Sequence, residues 1–138
     1  MNTVVVDVSV VVRSLLPSGS TFTQKKFRSY ISLVNRHELR LLSLPLLPFE
    51  VANALRFNIK DPTLAIKTYE VFSRLPIDIT PLSAGQLGEA LVASYRFATT
   101  LYDTSYHLLA KLMGATFITC DREYFKKADS WGSIELWN

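Results

Sequence analysis

The sequence predicts an α/β fold built on a central, mainly parallel five-stranded sheet, and three observations carry that prediction. Apolar or β-branched runs at 4–6, 40–44, 76–80, 115–119 and 134–137 alternate with stretches of helical spacing, as strand–helix–strand crossovers require. The first run, Val4-Val5-Val6, has no polar break and reads as a strand buried on both faces. Two of the runs end alike, in Val6-Asp7-Val8-Ser9 and in Thr119-Cys120-Asp121. In a parallel sheet both aspartates leave from the same edge.

The elements follow in order. After the first strand, Ser9 is the expected N-cap of a short helix reaching about Leu16, and Pro17-Ser18-Gly19-Ser20 breaks it. Helical spacing resumes through Phe27, Tyr30, Ile31 and Val34, with Thr21 or Thr23 as the cap. A second strand over 40–44 is bounded by Pro45. The helix over 48–58 carries the stripe Val51, Ala54 and Leu55, and a proline near its start is favourable. Asp61-Pro62 is a cap followed by an N1 proline for another helix, along which lie Leu64, Ala65, Thr68, Tyr69 and Phe72. Residues 76–80 alternate as a third strand. Ser83 caps a helix whose expected apolar face includes Leu87, Leu91, Val92, Tyr95 and Phe97. Thr99 or Thr100 starts the next, which runs through Leu101, Leu108, Leu109 and Leu112 to a Gly114 stop. A fourth strand over 115–119, a short helix over 122–128 and an edge-like strand over 134–137 complete the chain.

Bulk properties bound the function. The 138 residues suit one domain spanning 1–138, and 49% hydrophobic with 20% charged residues is a globular composition, not a disordered one. A single cysteine, Cys120, leaves no internal disulfide and fits a reducing compartment. No apolar run approaches the ~20 residues that span a bilayer, and the N-terminus, with Asp7 inside its apolar run and no basic residue before Arg13, does not read as a secretory signal. The expected location is the cytoplasm, with no membrane partner. The net charge is +3. If four of the acids gather in one pocket, the remaining surface is clearly basic, which suits a polyanionic partner.

The acids point to chemistry. A carboxylate at the end of a buried strand is costly unless its charge is compensated, and in open α/β sheets that edge is where ligands bind. Asp7 is therefore either the first member of a metal site or simply the cap of the following helix. Asp121 ends the fourth strand, while Glu50 and Asp103 sit near helix starts that face the same edge, so four carboxylates can converge. Such a cluster needs a cation or shared protons, and a hard, oxygen-seeking ion such as Mg²⁺ or Mn²⁺ is the natural match. Zinc is disfavoured, because one cysteine and two histidines, His37 and His107, stand at no ligand spacing. The chemistry implied is metal-assisted hydrolysis of a phosphodiester; no P-loop, GxGxxG or GxSxG stretch competes.

Four segments then carry a family resemblance: Val5-Val6-Asp7-Val8-Ser9-Val10, Phe49-Glu50-Val51-Ala52-Asn53-Ala54-Leu55-Arg56, Tyr102-Asp103-Thr104-Ser105-Tyr106-His107-Leu108-Leu109-Ala110 and Phe117-Ile118-Thr119-Cys120-Asp121-Arg122. Each alone is weak, but in this order and spacing they are specific. The chain resembles a PIN domain, and closely the short toxin ribonucleases of the VapC kind, over nearly its whole length. The resemblance implies a PIN-like three-layer α/β/α sandwich. It implies Asp7, Glu50, Asp103 and Asp121 as catalytic, metal-holding acids, with Ser9 and Thr119 as supporting hydroxyls. It also implies a Mg²⁺- or Mn²⁺-dependent endoribonuclease that is a homodimer, acts on RNA and is neutralised by a small antitoxin. The chain departs from the pattern at Thr104 and His107, where small or aliphatic residues are commoner, and in the prolines flanking Leu46-Leu47.

Neighbouring residues invite lesser roles. Arg13, Arg56 and Arg122 are candidates to hold phosphates, and Asn53 shares a helix face with Glu50 and could orient it. His107 reads as a packed or exposed histidine before a ligand, Cys120 as a small core residue, and Phe27 with Tyr30 as core before RNA-stacking surface. The rival function is an RNA-binding or scaffold module of the same fold that does not cut. A receiver domain lacks its acidic pair and strand-end lysine here, and a haloacid-dehalogenase-type phosphatase lacks a second aspartate at Ser9.

Overall fold

The structure, a computed structural model, describes Asn2–Asn138. In chain order the elements are β1 (Asn2–Val6), α1 (Val8–Leu15), α2 (Thr21–Asn35), β2 (Leu39–Ser43), α3 (Leu47–Asn58), α4 (Pro62–Ser73), β3 (Asp78–Ile79), α5 (Ala84–Phe97), α6 (Leu101–Leu112), β4 (Thr116–Thr119), α7 (Arg122–Ala128) and β5 (Ile134–Leu136), with a 3₁₀ turn at Asp129–Trp131. The sheet order is β3-β2-β1-β4-β5, and every pairing is parallel, so the expected "mainly" parallel sheet is wholly so.

Alternation along β1 divides the core into two layers. Val4 and Val6 meet Val10, Val11, Phe27, Leu47, Val51 and Phe72, so α1 to α4 cover one face. Val5 meets Phe97, Tyr106, Leu109, Phe117 and Tyr124, so α5 to α7 cover the other. This is the PIN-like α/β/α sandwich, and it buries both faces as a parallel sheet must. The chain runs outward from β1 through β2 to β3, then returns to β4 beside β1. The order therefore reverses between β1 and β4, which opens a crevice beyond their carboxyl ends.

Several boundaries differ from the sequence reading, each for a physical reason. Asp7, not Ser9, caps α1, because its side chain accepts from the Ser9 and Val10 amides. Ser20, not Thr21 or Thr23, caps α2; Thr23 is buried in the core. The third strand shrinks to two exposed residues. Asp78 and Ile79 pair with Leu42 and Ser43, and Pro76 and Pro81 nearby lack the N–H a longer ladder needs. On α5 the expected apolar face is turned outward except at Phe97. Ala90, Ala93, Ser94 and Phe97 are buried, while Leu87, Leu91, Val92 and Tyr95 are exposed. Small residues let α5 lie close to α6, where buried Thr104 donates to the Ala90 carbonyl at 3.1 Å. That bond accounts for the threonine at this position. The Ser83 cap forms with a full capping box to Gln86, Thr100 caps α6, and Gly114 (φ 61°) follows its end.

Candidate active site

The switch point of the sheet sets the two strand-end acids. Val6 pairs with Ile118 in register, so Asp7 and Thr119 are the next residues out on adjacent strands. Asp7 is buried, with 4% of its surface exposed. Its Oδ1 accepts from the Ser9 hydroxyl at 2.5 Å and from the Ser9 and Val10 amides at 3.0 and 3.3 Å; its Oδ2 accepts from Thr119 Oγ1 at 2.8 Å. Burial pushes the Asp7 carboxyl up to about 6, against the pull of the Ser9, Thr119 and Val10 hydrogen bonds, and the Asp103 charge pushes the same way. Asp7 is thus the helix cap and also lies within the electrostatic reach of Asp103. Of the two readings left open by the sequence, the cap is observed.

The hydroxyls tie the two strand ends together. Ser9 Oγ donates to Asp7 and accepts from the Cys120 amide at 2.9 Å. Thr119 Oγ1 donates to Asp7 and accepts from the Asp121 amide at 3.1 Å. Asp121 in turn caps α7 through the Tyr124 amide at 3.0 Å.

The other two acids arrive from the helices. Asp103 is the third residue of α6, half-buried, its amide bonded to the Thr100 cap at 3.2 Å. Its carboxyl is raised above the ordinary value, first by burial and then by the Asp121 and Glu50 charges. Glu50, in the first turn of α3, accepts from the Tyr106 hydroxyl at 2.6 Å. Burial keeps Tyr106 and Tyr124 protonated, and both phenols also feel the Asp7 and Asp103 charges. The four acids therefore share one electrostatic neighbourhood. None takes part in the ion pairs found among the described residues, which join Arg36–Glu38, Arg40–Asp78, Arg74–Glu70 and Lys126–Glu123. Among the described residues, however, no three acids, histidines or cysteines are grouped closely enough to hold one ion together.

The arginines separate. Arg13 and Arg122 line a cleft of about 470 Å³ with Ser9, Cys120, Asp121, Trp137 and Asn138, beside the acids. Arg122 donates there to Asn138 Oδ1 at 2.6 Å. Arg56 lies over the Phe57 ring and lines a different, apolar groove between α3 and α4. Asn53 is exposed, and the hydrogen bond recorded for Glu50 comes from Tyr106 instead. His107 is fully buried, between the Tyr124 hydroxyl at 2.7 Å and the Gly132 carbonyl at 2.6 Å. The carbonyl can only accept, so Nε2 carries the proton and Nδ1 accepts from Tyr124. Burial lowers the His107 pKa, and Lys111 adds to that against the Gly132 bond. Cys120 and Phe27 are core residues, and Tyr30 packs edge-on against Trp137. Sequence reasoning missed Tyr106 as a partner of Glu50. Its signal was its place three residues after Asp103, on the same helix face.

No family model matches the chain, and no curated protein matches it. Solved structures do. VapC20 of Mycobacterium tuberculosis, a sarcin-ricin loop cleaving toxin, superposes with a TM-score of 0.72 at 10% identity, covering 98% of this chain and 99% of that one. VapBC2 of Rickettsia felis, bound to a fragment of promoter DNA, gives 0.69 at 14% identity with 99% of each chain covered. FitAcB of Neisseria gonorrhoeae gives 0.64 at 17% identity, with 98% and 96% covered. At such identities the likeness is one of fold.

Proposed function

We propose that this chain is a metal-dependent endoribonuclease that hydrolyses RNA phosphodiester bonds as the toxin of a toxin–antitoxin pair in the cytoplasm. The observation that carries the reading is the set of acids at the β1/β4 switch point, where buried Asp7 is held by four hydrogen bonds and none of the four acids takes part in an ion pair among the described residues. The likeness in fold to toxins and toxin–antitoxin complexes supports it.

The donor set fits a hard cation in its chemistry, being all carboxylate oxygen. Mg²⁺ is usually held by one or two carboxylates, with waters and substrate phosphates completing its shell. Asp7, Glu50, Asp103 and Asp121 would hold it between them, directly or through bound water. When bound, such an ion supplies positive charge to the phosphate and to the attacking water. The chain's own residues do the rest. Ser9 and Thr119 fix the Asp7 carboxylate, Asp121 is fixed by its cap on α7, and Arg13 and Arg122 in the adjoining cleft would take backbone phosphates. A water oxygen bonds to phosphorus, the bridging P–O bond breaks, and the leaving oxygen takes up a proton.

The outward apolar side of α5 (Leu91, Val92, Tyr95) is suited to a second copy of the chain. The groove between α3 and α4, walled by Leu55, Ile59 and Ile66 with Arg56 and Lys60 at its rim, is suited to a small antitoxin. No helix among the described residues is long and apolar enough to cross a membrane. A second reading, a non-cleaving RNA-binding module, is favoured by the spacing of the acids. RNA incubated with the purified chain and Mg²⁺ or Mn²⁺ decides between them. Cleavage that chelator and Asp7→Asn both abolish supports the nuclease, and RNA bound but left intact supports the module.

A further inference from the structure

Two of the four acids are anchored by the backbone that carries them. Asp7 and Asp121 are strand-end caps, and Asp103 lies in the turn capped by Thr100. Glu50 is different. It has one more side-chain torsion than aspartate and sits on α3, whose buried residues Leu47, Val51 and Leu55 belong to the layer on the opposite side of the sheet from α6. Tyr106 reaches it from α6. The tyrosine ring is 1% exposed and stacks on Phe117 of β4 at 6.2 Å with 7° between the planes. A ring so confined places its hydroxyl with little freedom, and that hydroxyl donates to Glu50 Oε1 at 2.6 Å.

We infer that Tyr106 is a positioning residue that bridges the two helical layers and holds the Glu50 carboxylate within reach of the Asp103 charge, the inference resting on the reading of the four acids as a metal-dependent site. One helix then carries both Asp103 and, three residues on, the group that orients Glu50. Partners of this kind fix the direction of a ligating carboxylate, and their loss typically costs about 10- to 100-fold in metal affinity or activity. Phenylalanine fills the same volume, so ring packing alone would make the hydroxyl dispensable to that site.

The test is Mn²⁺ binding by calorimetry to the full, chelator-treated chain, together with kcat and KM for RNA cleavage. Tyr106→Phe should weaken Mn²⁺ binding about tenfold and lower kcat more than KM. In a Glu50→Gln background the same substitution should add nothing, a coupling that a purely structural role would not produce. 4-Aminophenylalanine at 106, which restores a donor on a ring of similar size, should recover binding, and it serves in place of Tyr106→Phe comparisons should that variant fold poorly. Wild-type binding and kcat in a folded Tyr106→Phe overturn the positioning role while leaving the nuclease reading intact. No Mn²⁺ bound by the wild type overturns both.

Discussion

Thr119 Oγ1 donates to Asp7 Oδ2 at 2.8 Å, so the strand-end hydroxyl of β4 holds the strand-end carboxylate of β1. The same oxygen accepts from the Asp121 amide at 3.1 Å. One side chain thus fixes the geometry of both strand-end acids. Thr119→Val keeps the shape and removes these bonds, leaving a buried carboxylate short of a donor. It should destabilise the fold by about 1–3 kcal/mol, while Thr119→Ser should recover most of that. Urea unfolding of the two variants checks it, and equal midpoints would show that the hydroxyl is not holding Asp7.

The acidity of Asp7 makes a second prediction. Its carboxyl titrates at about 6 in the fold against 3.8 as a free side chain, chiefly through burial. The folded state therefore binds the proton more tightly, so the stabilisation from this group is fully present below about pH 4 and lost as pH rises through 6. Asp7→Asn removes the ionisation at nearly constant shape. In chelator at pH 8 it should be more stable than wild type by about 1 kcal/mol, with the gap closing toward pH 5. Thermal melts across that range read it directly.

Metal should act on the wild type by mass action. Millimolar-range Mg²⁺, about the level a weakly held ion requires, should raise its melting temperature and raise that of Asp7→Asn much less. Alanine at Asp7, Glu50, Asp103 or Asp121 should abolish RNA cleavage in a folded protein. Two such variants cutting at the wild-type rate would refute the site.

His107 bridges the Tyr124 hydroxyl and the Gly132 carbonyl while fully buried, and it packs on Trp131 at 4.7 Å. His107→Ala opens a cavity and strands two polar groups, at a cost of about 2–4 kcal/mol. Because burial lowers its pKa below the unfolded value of 6.5, its contribution is present above that pH and is lost as pH falls below it. Denaturant curves at pH 5.5 and 8 should show His107→Gln with a flatter acid dependence than wild type.

The outward α5 face predicts self-association. The wild type should sediment as a dimer at tens of micromolar, a concentration chosen for an ordinary interface, and Val92→Glu, at a residue 70% exposed, should sediment as a monomer. Identical profiles would place any dimer contact elsewhere.

The order of strands and helices was legible in the sequence because it is set by local periodicity. The Val4-Val5-Val6 run, the Ser83 cap and the Asp61-Pro62 start all formed as read. The acids at the ends of β1 and β4 were legible for the same reason: a carboxylate closing a buried run is costly wherever the fold places it. What the sequence could not give was any relationship across the sheet. That the other oxygen of the Asp7 carboxylate is held by Thr119, 112 residues away, followed from β1 and β4 lying side by side in register. Which face of α5 was buried depended on how closely α6 approached, and that favoured Ala90 and Ala93 over the larger Leu91 and Val92. The partner of Glu50 is Tyr106, 56 residues on and in the opposite layer, while Asn53 on its own helix face is left to solvent. Periodicity reports what one segment prefers alone. Contacts between layers exist only once the sheet has closed between them.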